Sequence, residues 1–453
     1  MPGKKPNNGP HGQPGKKKPA ASAAKLAPAR RAALRLFSEC RRREARARDL
    51  LREAPAMAEL DPRDRALATR LVLGTIAARG EVDRVVTSHL RARSALEPLV
   101  RDALRIAAFE ILYLDTPAQV AVSQGVELVR CAGRRAAGLG NAVLRRVADE
   151  DAAALNAARV RVESGDFTAS DLQRIGGLPE WIAERAMADL GPEAAAAFAA
   201  GALEPACASV AANAAKHGVD ECRALLGGAG CEPEPGPVAG SFILGRPSAL
   251  APSGLVESCD VLPCDLAAQD VVASLGIRAG ERVLEVGQGR GTKSVLMAAV
   301  GARLTSVEVD TKKSALAAAR METAGVGGRV ECVCDDGREL ARVDGAFDLV
   351  FVDAPCSGAG TLSRHPEIAW SLTEDALADL AELQLQILRR AATRVAAGGR
   401  LAYSTCSVFR QEDEGVVDAF LASPEGAPFR LASARRTDIP HADTHFLVLL
   451  ERA

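Results

Sequence analysis

The period of the apolar positions changes along the chain, and the expected fold changes with it. From about Ala29 to Val147 the repeat is helical. Asp61-Pro62 supplies an N-cap with proline at the first helical position, after which Leu67, Leu71 and Thr75 fall on one face with Gly74 among them. Glu97-Pro98 opens a second helix, whose Val100, Leu104, Ala107, Ala108, Ile111 and Leu112 make an apolar stripe. Thr116-Pro117 opens a third, carrying Val122, Val126 and Val129. Residues 151–200 are Ala-rich and read as helical, broken at Gly176-Gly177-Leu178-Pro179. Residues 205–262, with a Gly/Pro cluster from Gly227 to Pro237, read as a small α/β connector.

From about Asp265 short apolar runs alternate with helical stretches. Strands are expected at 282–286, 304–309, 329–334, 347–352 and 400–404, with helices such as 313–321 and 376–395 between them. That alternation predicts a parallel sheet wrapped by helices. Residues 429–431 and 446–450 are expected to add edge strands. The expected division is a tail over 1–28, a helical domain over 29–150, a helical and α/β connector over 151–262 and an α/β domain over 263–453.

With 453 residues, about half of them apolar, the chain can bury more than one core. A net charge of −1 excludes a uniformly basic nucleic-acid coat. The charge is unevenly spread, since Lys4, Lys5, Lys16, Lys17, Lys18, Lys25, Arg30, Arg31 and Arg35 all precede the first acidic residue, Glu39. This segment, rich in Pro and Gly, is expected to be disordered and either to touch phosphate non-specifically or simply to solubilise the chain. The eleven cysteines include no Cys-x-x-Cys pair, no apolar run is long enough to span a membrane, and the N-terminus lacks the apolar stretch of a secretory signal. The expected setting is a reducing cytoplasm, with neither membrane nor metal as a partner.

Candidate chemistry gathers at expected strand ends. Val283-Leu284-Glu285-Val286 runs into Gly287-Gln288-Gly289-Arg290-Gly291, a turn whose glycines allow a ligand to approach the backbone. Its spacing is neither the dinucleotide fingerprint nor a phosphate loop, and an acid just before such a turn is typical of S-adenosylmethionine sites. Glu308 ends the next strand, where an acid can accept hydrogen bonds from ribose hydroxyls, with Asp310 as the competing choice. Asp336 follows the third strand and is a candidate for the adenine amino group.

Two cysteines sit in polar loops just past two further strands, in Asp353-Ala354-Pro355-Cys356-Ser357-Gly358 and in Thr405-Cys406-Ser407. A free cysteine is ordinarily a small buried hydrophobe, and that reading stands for the other nine. Two thiols and a carboxylate at strand ends downstream of a glycine turn point instead to nucleophilic chemistry on a base, beside a nucleotide-like cofactor. Residue chemistry alone leaves open which cysteine attacks.

The stretch from Asp353 to Thr361 continues into Arg364-His365-Pro366-Glu367-Ile368-Ala369-Trp370. With Tyr403-Ser404-Thr405-Cys406-Ser407-Val408 and Glu412, it closely resembles the bacterial 16S ribosomal RNA cytosine-5 methyltransferase family of the Sun/Fmu type. Asp64-Arg65-Ala66-Leu67-Ala68, Leu73-Gly74-Thr75 and the run from Gly140 to Arg146 resemble the NusB-like RNA-binding domain of these enzymes. The resemblance spans roughly residues 30–450. It implies a multidomain α plus α/β architecture: a NusB-like bundle, a connector, and a Rossmann-like class I methyltransferase domain. It also implies S-adenosylmethionine as cofactor and 16S rRNA as partner, with Cys406 attacking cytosine C6, Cys356 assisting elimination, and Asp353 contacting the base. Lys293 matches the lysine after the glycine turn, and Glu308, Asp336 and Asp353 match positions lining the cofactor pocket. Arg145 and Arg146 are candidate RNA contacts, weighed against an ordinary solvated helix face.

Thiolate addition at C6 makes C5 enamine-like and able to take a methyl group, provided a neighbour stabilises N3. A protonated Asp353, or one sharing a proton with N3, is the expected partner. The chain also departs from the family pattern. Gly287 to Ser294 replaces Cys-Ala-Ala-Pro-Gly-Gly-Lys-Thr, Glu285 stands for an aspartate, Ala211-Ala212-Asn213 lacks an arginine, and Asp443-Thr444-His445-Phe446 lacks the glycine before its aromatic pair. Two other readings remain: the same chemistry on transfer or other RNA, and a catalytically silent RNA-binding assembly protein.

Overall fold

In the computed structural model, which describes residues 26–43, 47–90 and 96–453, prolines and a capping side chain start the N-terminal helices. Asp61 accepts the Asp64 amide at 2.8 Å, and Pro62 opens helix Pro62–Ala77. Pro98 opens helix Pro98–Tyr113, the centre of the bundle, which buries Leu104, Ile106, Ala107 and Phe109. Helices Pro28–Arg43, Pro62–Ala77 and Ala118–Ala132 pack around it. The basic residues up to Lys25 lie outside the described residues. Arg30, expected to share their phosphate-facing role, is instead buried in helix Pro28–Arg43, where its Nε donates to Glu110 at 2.8 Å. A buried guanidinium needs such a partner and is not free for phosphate.

Helices Ala152–Ser164, Ala169–Gly176, Glu180–Leu190 and Pro192–Leu203 follow. Leu172, Ile182 and Ala199 share a core with Leu362, Ala369, Val408 and Phe409, and Trp181 stacks on Phe409 with ring centroids 5.9 Å apart. These helices therefore buttress the segments that follow both cysteines. The connector forms a four-stranded antiparallel sheet of β1 (Ser209–Ala212), β2 (Pro233–Pro235), β3 (Ser241–Leu244) and β4 (Val261–Pro263), in the order β2-β3-β1-β4.

The C-terminal sheet has seven strands: β5 (Arg282–Val286), β6 (Arg303–Glu308), β7 (Val330–Cys334), β8 (Phe347–Asp353), β9 (Val395–Thr405), β10 (Phe429–Arg436) and β11 (Phe446–Arg452). Their order is β10-β11-β9-β8-β5-β6-β7. β9, β8, β5, β6 and β7 are parallel, while β11 and β10 join antiparallel at one edge. The chain leaves β5 toward β6 and returns to β8 on the other side, so the order reverses between β5 and β8. The crevice at the C-terminal ends of strands at such a point is where α/β sheets bind ligands. β9 begins five residues earlier than expected, and the preceding helix, Glu374–Ala392, stops before Val395.

Arg364 ties the parts together. Its guanidinium meets Asp265 and Asp443 and donates to the Cys207 carbonyl at 3.0 Å. Arg48, in helix Ala47–Glu53 of the N-terminal bundle, donates to the backbone carbonyls of Ser363 and Arg364. Arg79 lies over the Trp370 ring, 5.5 Å from its centroid.

Candidate active site

The glycine turn is built from below. The amides of Gly287 and Gln288 both donate to the Val307 carbonyl at 3.0 Å, which folds the turn back across β6. Glu285 lies underneath, fully buried, and one of its oxygens accepts the hydroxyls of Ser294 (2.5 Å) and Ser306 (2.8 Å). Burial pushes its carboxyl up to about 7, against the pull of the two hydroxyls. Glu285, expected to touch a cofactor, has no exposed surface and supports the turn from below, while its second oxygen, Oε1, has no hydrogen-bond partner among the described residues.

Glu308 does face the turn. It accepts the Gly289 amide at 2.8 Å and the Asp310 amide at 3.0 Å. Asp310 is engaged elsewhere, capping helix Thr311–Thr323 through the amides of Lys312 and Lys313. Of the two candidates, Glu308 is thus the one placed beside the glycines. Asp336, after β7, is half-exposed and held by the guanidinium and amide of Arg338.

Lys293 stands in the first turn of helix Thr292–Ala299, and its ammonium donates to both oxygens of Asp353 at 2.6 Å. Burial opposes its charge, but Asp353 and the Cys406 sulfur more than compensate, holding its pKa above the ordinary lysine value. The proton nearest the Asp353 oxygens is thus one of the Lys293 ammonium, where the sequence led to an acid that itself carries or shares the proton.

β8 and β9 bring the two cysteines together, although fifty positions separate them in sequence. The sulfurs of Cys356 and Cys406 are 3.0 Å apart, and the Cys406 amide donates to the Cys356 sulfur at 3.2 Å. The Cys356 thiol is pushed well above the usual thiol range, first by its hydrogen bond with the Cys406 sulfur, then by burial and by the charges of Cys406 and Glu412, against the pull of the Cys406 amide. Either sulfur of the pair can donate to the other.

Sequence reasoning named Glu412 only as part of the motif and missed that it and Asp413 hold these loops. Glu412 accepts the hydroxyls of Ser357 and Ser407, one beside each cysteine. Asp413 accepts the Thr405 hydroxyl at 2.5 Å and pairs with Arg436. The adjacent acids at 412 and 413 were the available signal. His445 was missed as well. It lies one residue beyond the pair Phe446–Thr405 and so falls opposite Cys406. Its ring is buried, Nδ1 has no partner, and burial together with Lys293 pushes its pKa down to about 3.

Arg145 and Arg146 lie apart from this cluster, exposed at the end of helix Ala137–Arg146, and Arg145 donates to Asn141 at 3.2 Å. Arg134 and Arg135, exposed just before the same helix, belong to no motif that would single them out in sequence. Among the described residues no group of His, Cys, Asp and Glu could hold a metal, and no helix is long and apolar enough to cross a membrane.

Comparison with known proteins places both halves. The family model described as 16S rRNA methyltransferase RsmB/F matches residues 272–442, and the NusB family model matches residues 27–149. The chain is 33% identical over 388 residues to ribosomal RNA small subunit methyltransferase B of Thermus thermophilus, covering 85% of this chain and 86% of that protein. It is 28% identical over 382 residues to the probable ribosomal RNA small subunit methyltransferase B of Bacillus subtilis, covering 82% and 83%. Among solved structures, that of PH0851 superposes with a TM-score of 0.72 at 21% identity, covering 95% of this chain and all of that one. NSun6 from Pyrococcus horikoshii with SFG gives 0.52 at 15% identity, covering 59% and 97%. Both likenesses are of fold.

Proposed function

We propose, from the premise that the chain belongs to the RsmB/F family of 16S rRNA methyltransferases, that it methylates C5 of a cytosine in small-subunit ribosomal RNA through a covalent Cys406 adduct. The chain is an S-adenosylmethionine-dependent RNA methyltransferase of that family. The observation that carries the finer reading is the pair of sulfurs 3.0 Å apart, beside the Lys293–Asp353 ion pair at the sheet's switch point.

The residues present suit S-adenosylmethionine. A Cβ placed on Gly289 would meet nothing within 4 Å, so the turn opens onto free space, and Glu308 stands beside it. Glu308 would hold the ribose hydroxyls and Asp336 the adenine amino group. The cofactor would supply an electrophilic methyl group, with the neutral thioether as its leaving group.

The chain's own residues do the rest. Cys406, beside the Lys293 charge, gives its thiol proton to solvent and forms a bond to C6 of the flipped-out base. The electron pair of the C5–C6 bond moves toward C4 and N3, where the Lys293 ammonium, held by Asp353, can donate a hydrogen bond. C5 then takes the methyl group and later gives up its proton to a solvent water. The S–C6 bond breaks, its electron pair returns to Cys406, and the Cys356 S–H stabilises the departing thiolate. Arg134 and Arg135, before helix Ala137–Arg146, and Arg145 and Arg146, at its end, are exposed and would contact RNA phosphates.

The test is to incubate the protein with S-adenosylmethionine and protein-free 16S rRNA, then map 5-methylcytosine. One modified cytosine is expected. Modification of transfer RNA with 16S rRNA untouched would overturn the substrate, and no product from any RNA would favour a silent enzyme.

A further inference from the structure

His445 is a buried imidazole that the covalent chemistry leaves without a role. It directly precedes β11, and the pairing of Phe446 with Thr405 sets it opposite Cys406. Alternation along the strands fixes its face of the sheet. Leu447, two positions on, shares a core with Leu349 and Phe351 of β8. Asp353 lies two positions beyond Phe351 in that strand. His445 and Asp353 therefore stand on one face, at the rim that carries the glycine turn. Helix Thr292–Ala299, which carries Lys293, packs on the same face through Val295, Met297 and Ala298. β9, which leads into Cys406, lies between β11 and β8.

The ring has hydrogen-bonding capacity to spare. Nδ1 is covered and has no partner, and Nε2 makes no hydrogen bond with another described residue. With 6% of the residue exposed, the ring is shielded from bulk water but not sealed. Burial and the Lys293 charge push its pKa down to about 3, so the ring is neutral and carries one N–H. The proton is assigned to Nε2, because a covered lone pair on Nδ1 is better tolerated than a covered N–H without an acceptor. Sheet order then decides which edge of a base the ring meets. The glycine turn ends β5, beyond β8 and on the side of Cys406 away from β11. A cytosine joined to Cys406 through C6 must turn C5 toward that glycine turn, and C4 with its amino group follows on the same side. N1, C2 and O2 are left facing β11.

We propose that His445 is a base-binding residue whose Nε2–H donates to O2 of the target cytosine, while Lys293 serves N3 from the other side. This rests on the reading of Cys406 as nucleophile. The electron pair that leaves the C5–C6 bond spreads over C4 and N3 and, through C2, onto O2. A donor at O2 therefore strengthens its bond as the adduct forms, and the imidazole keeps its proton throughout.

The experiment uses the full chain, S-adenosylmethionine and a 16S rRNA fragment spanning the mapped cytosine, with cytidine at that position in one copy and 2-thiocytidine in another. Sulfur is a weak acceptor, so the second copy weakens this contact alone. His445→Phe removes both ring nitrogens without breaking a hydrogen bond, and its melting temperature should not fall below that of the wild type. On cytidine it should lower kcat about 100-fold, the effect of losing one donor to a developing charge. On 2-thiocytidine the same substitution should cost about tenfold less. His445→Gln, which keeps an N–H, should recover part of the loss on cytidine, and His445→Leu gives the same comparison should His445→Phe not fold. Equal losses on the two RNAs, or full activity of a folded His445→Phe, overturn the proposal. Wild-type protein that modifies neither copy would instead overturn the cytosine reading itself, and this proposal with it.

Discussion

Substituting the glycines of the β5 turn separates what the turn does for the fold from what it does for a ligand. Gly287 has φ +99°, and a Cβ there would lie 2.1 Å from the Asp353 carbonyl oxygen, far inside contact distance. Gly287→Ala therefore combines the left-handed penalty of ~1–2 kcal/mol with an overpacking cost of ~1–3 kcal/mol, or about 2–5 kcal/mol together. In a domain of this size the melting temperature should fall by roughly 5–15 °C. The atom that must give way belongs to Asp353, so the carboxylate facing Lys293 also moves, and a displacement near 1 Å costs on the order of 100-fold in rate. Gly289 differs: φ is +57°, and nothing lies within 4 Å of the added carbon. Gly289→Ala should cost only ~1 kcal/mol of stability. Its methyl group, however, enters the space assigned to the cofactor, and calorimetry should show the Kd for S-adenosylmethionine rising at least tenfold, ~1.4 kcal/mol. A Gly289→Ala protein that binds the cofactor like wild type would mean the cofactor does not cross this turn. A Gly287→Ala protein that melts like wild type would mean the approach to Asp353 is not as close as described.

The two cysteines should fail differently: Cys406→Ala should form neither product nor adduct, whereas Cys356→Ala should accumulate an RNA–protein adduct that survives denaturing electrophoresis, and normal turnover by Cys356→Ala would refute its role in elimination. Glu285 makes a prediction about pH. Its folded pKa of about 7 lies above the ordinary 4.5, so its contribution to stability is complete below 4.5 and is lost as pH rises through 7. Urea unfolding at about pH 5 and about pH 8 should show the wild type losing more stability than Glu285→Gln, with a slope difference of up to ~1.4 kcal/mol per pH unit. Asp413 and Asp443, both raised to about 7 chiefly by burial, keep the variant's slope from vanishing, and parallel curves would refute the assignment. Alanine at Arg134, Arg135, Arg145 or Arg146 should weaken RNA binding and reduce the salt dependence by about one ion for each phosphate left without its guanidinium; an unchanged slope in all four would move the RNA surface elsewhere.

What can be read from the chain, and what cannot, divides along a physical line. The parallel strands are legible because burial on both faces gives them near-continuous runs such as Leu349-Val350-Phe351-Val352. β10 reads in sequence as a short strand ending at Leu431, yet it runs on to Arg436 as an edge strand with six consecutive exposed positions, so no alternation of burial marks it. The start of β9 is hidden because Ala396-Ala397-Gly398-Gly399 has the composition of a loop, and only pairing of Val395 with Phe347 makes a strand of it. The site divides in the same way. Acids after successive strands are legible as positions, since the fold's topology carries every strand end to one rim. Their tasks depend on depth: Glu285 is buried under the turn, Glu308 lies beside it, and Asp310 caps a helix. Depth is a property of the packed sheet, which a string of residues does not carry. Glu412 is the extreme case. Its partners Ser357 and Gln384 lie 55 and 28 positions away, so the adjacent acids at 412 and 413 mark the place in sequence but not the task. The two thiols are recognisable one at a time, but that they touch follows from a buried carboxylate whose four hydrogen bonds exist only once β8, β9 and helix Glu374–Ala392 have assembled around it.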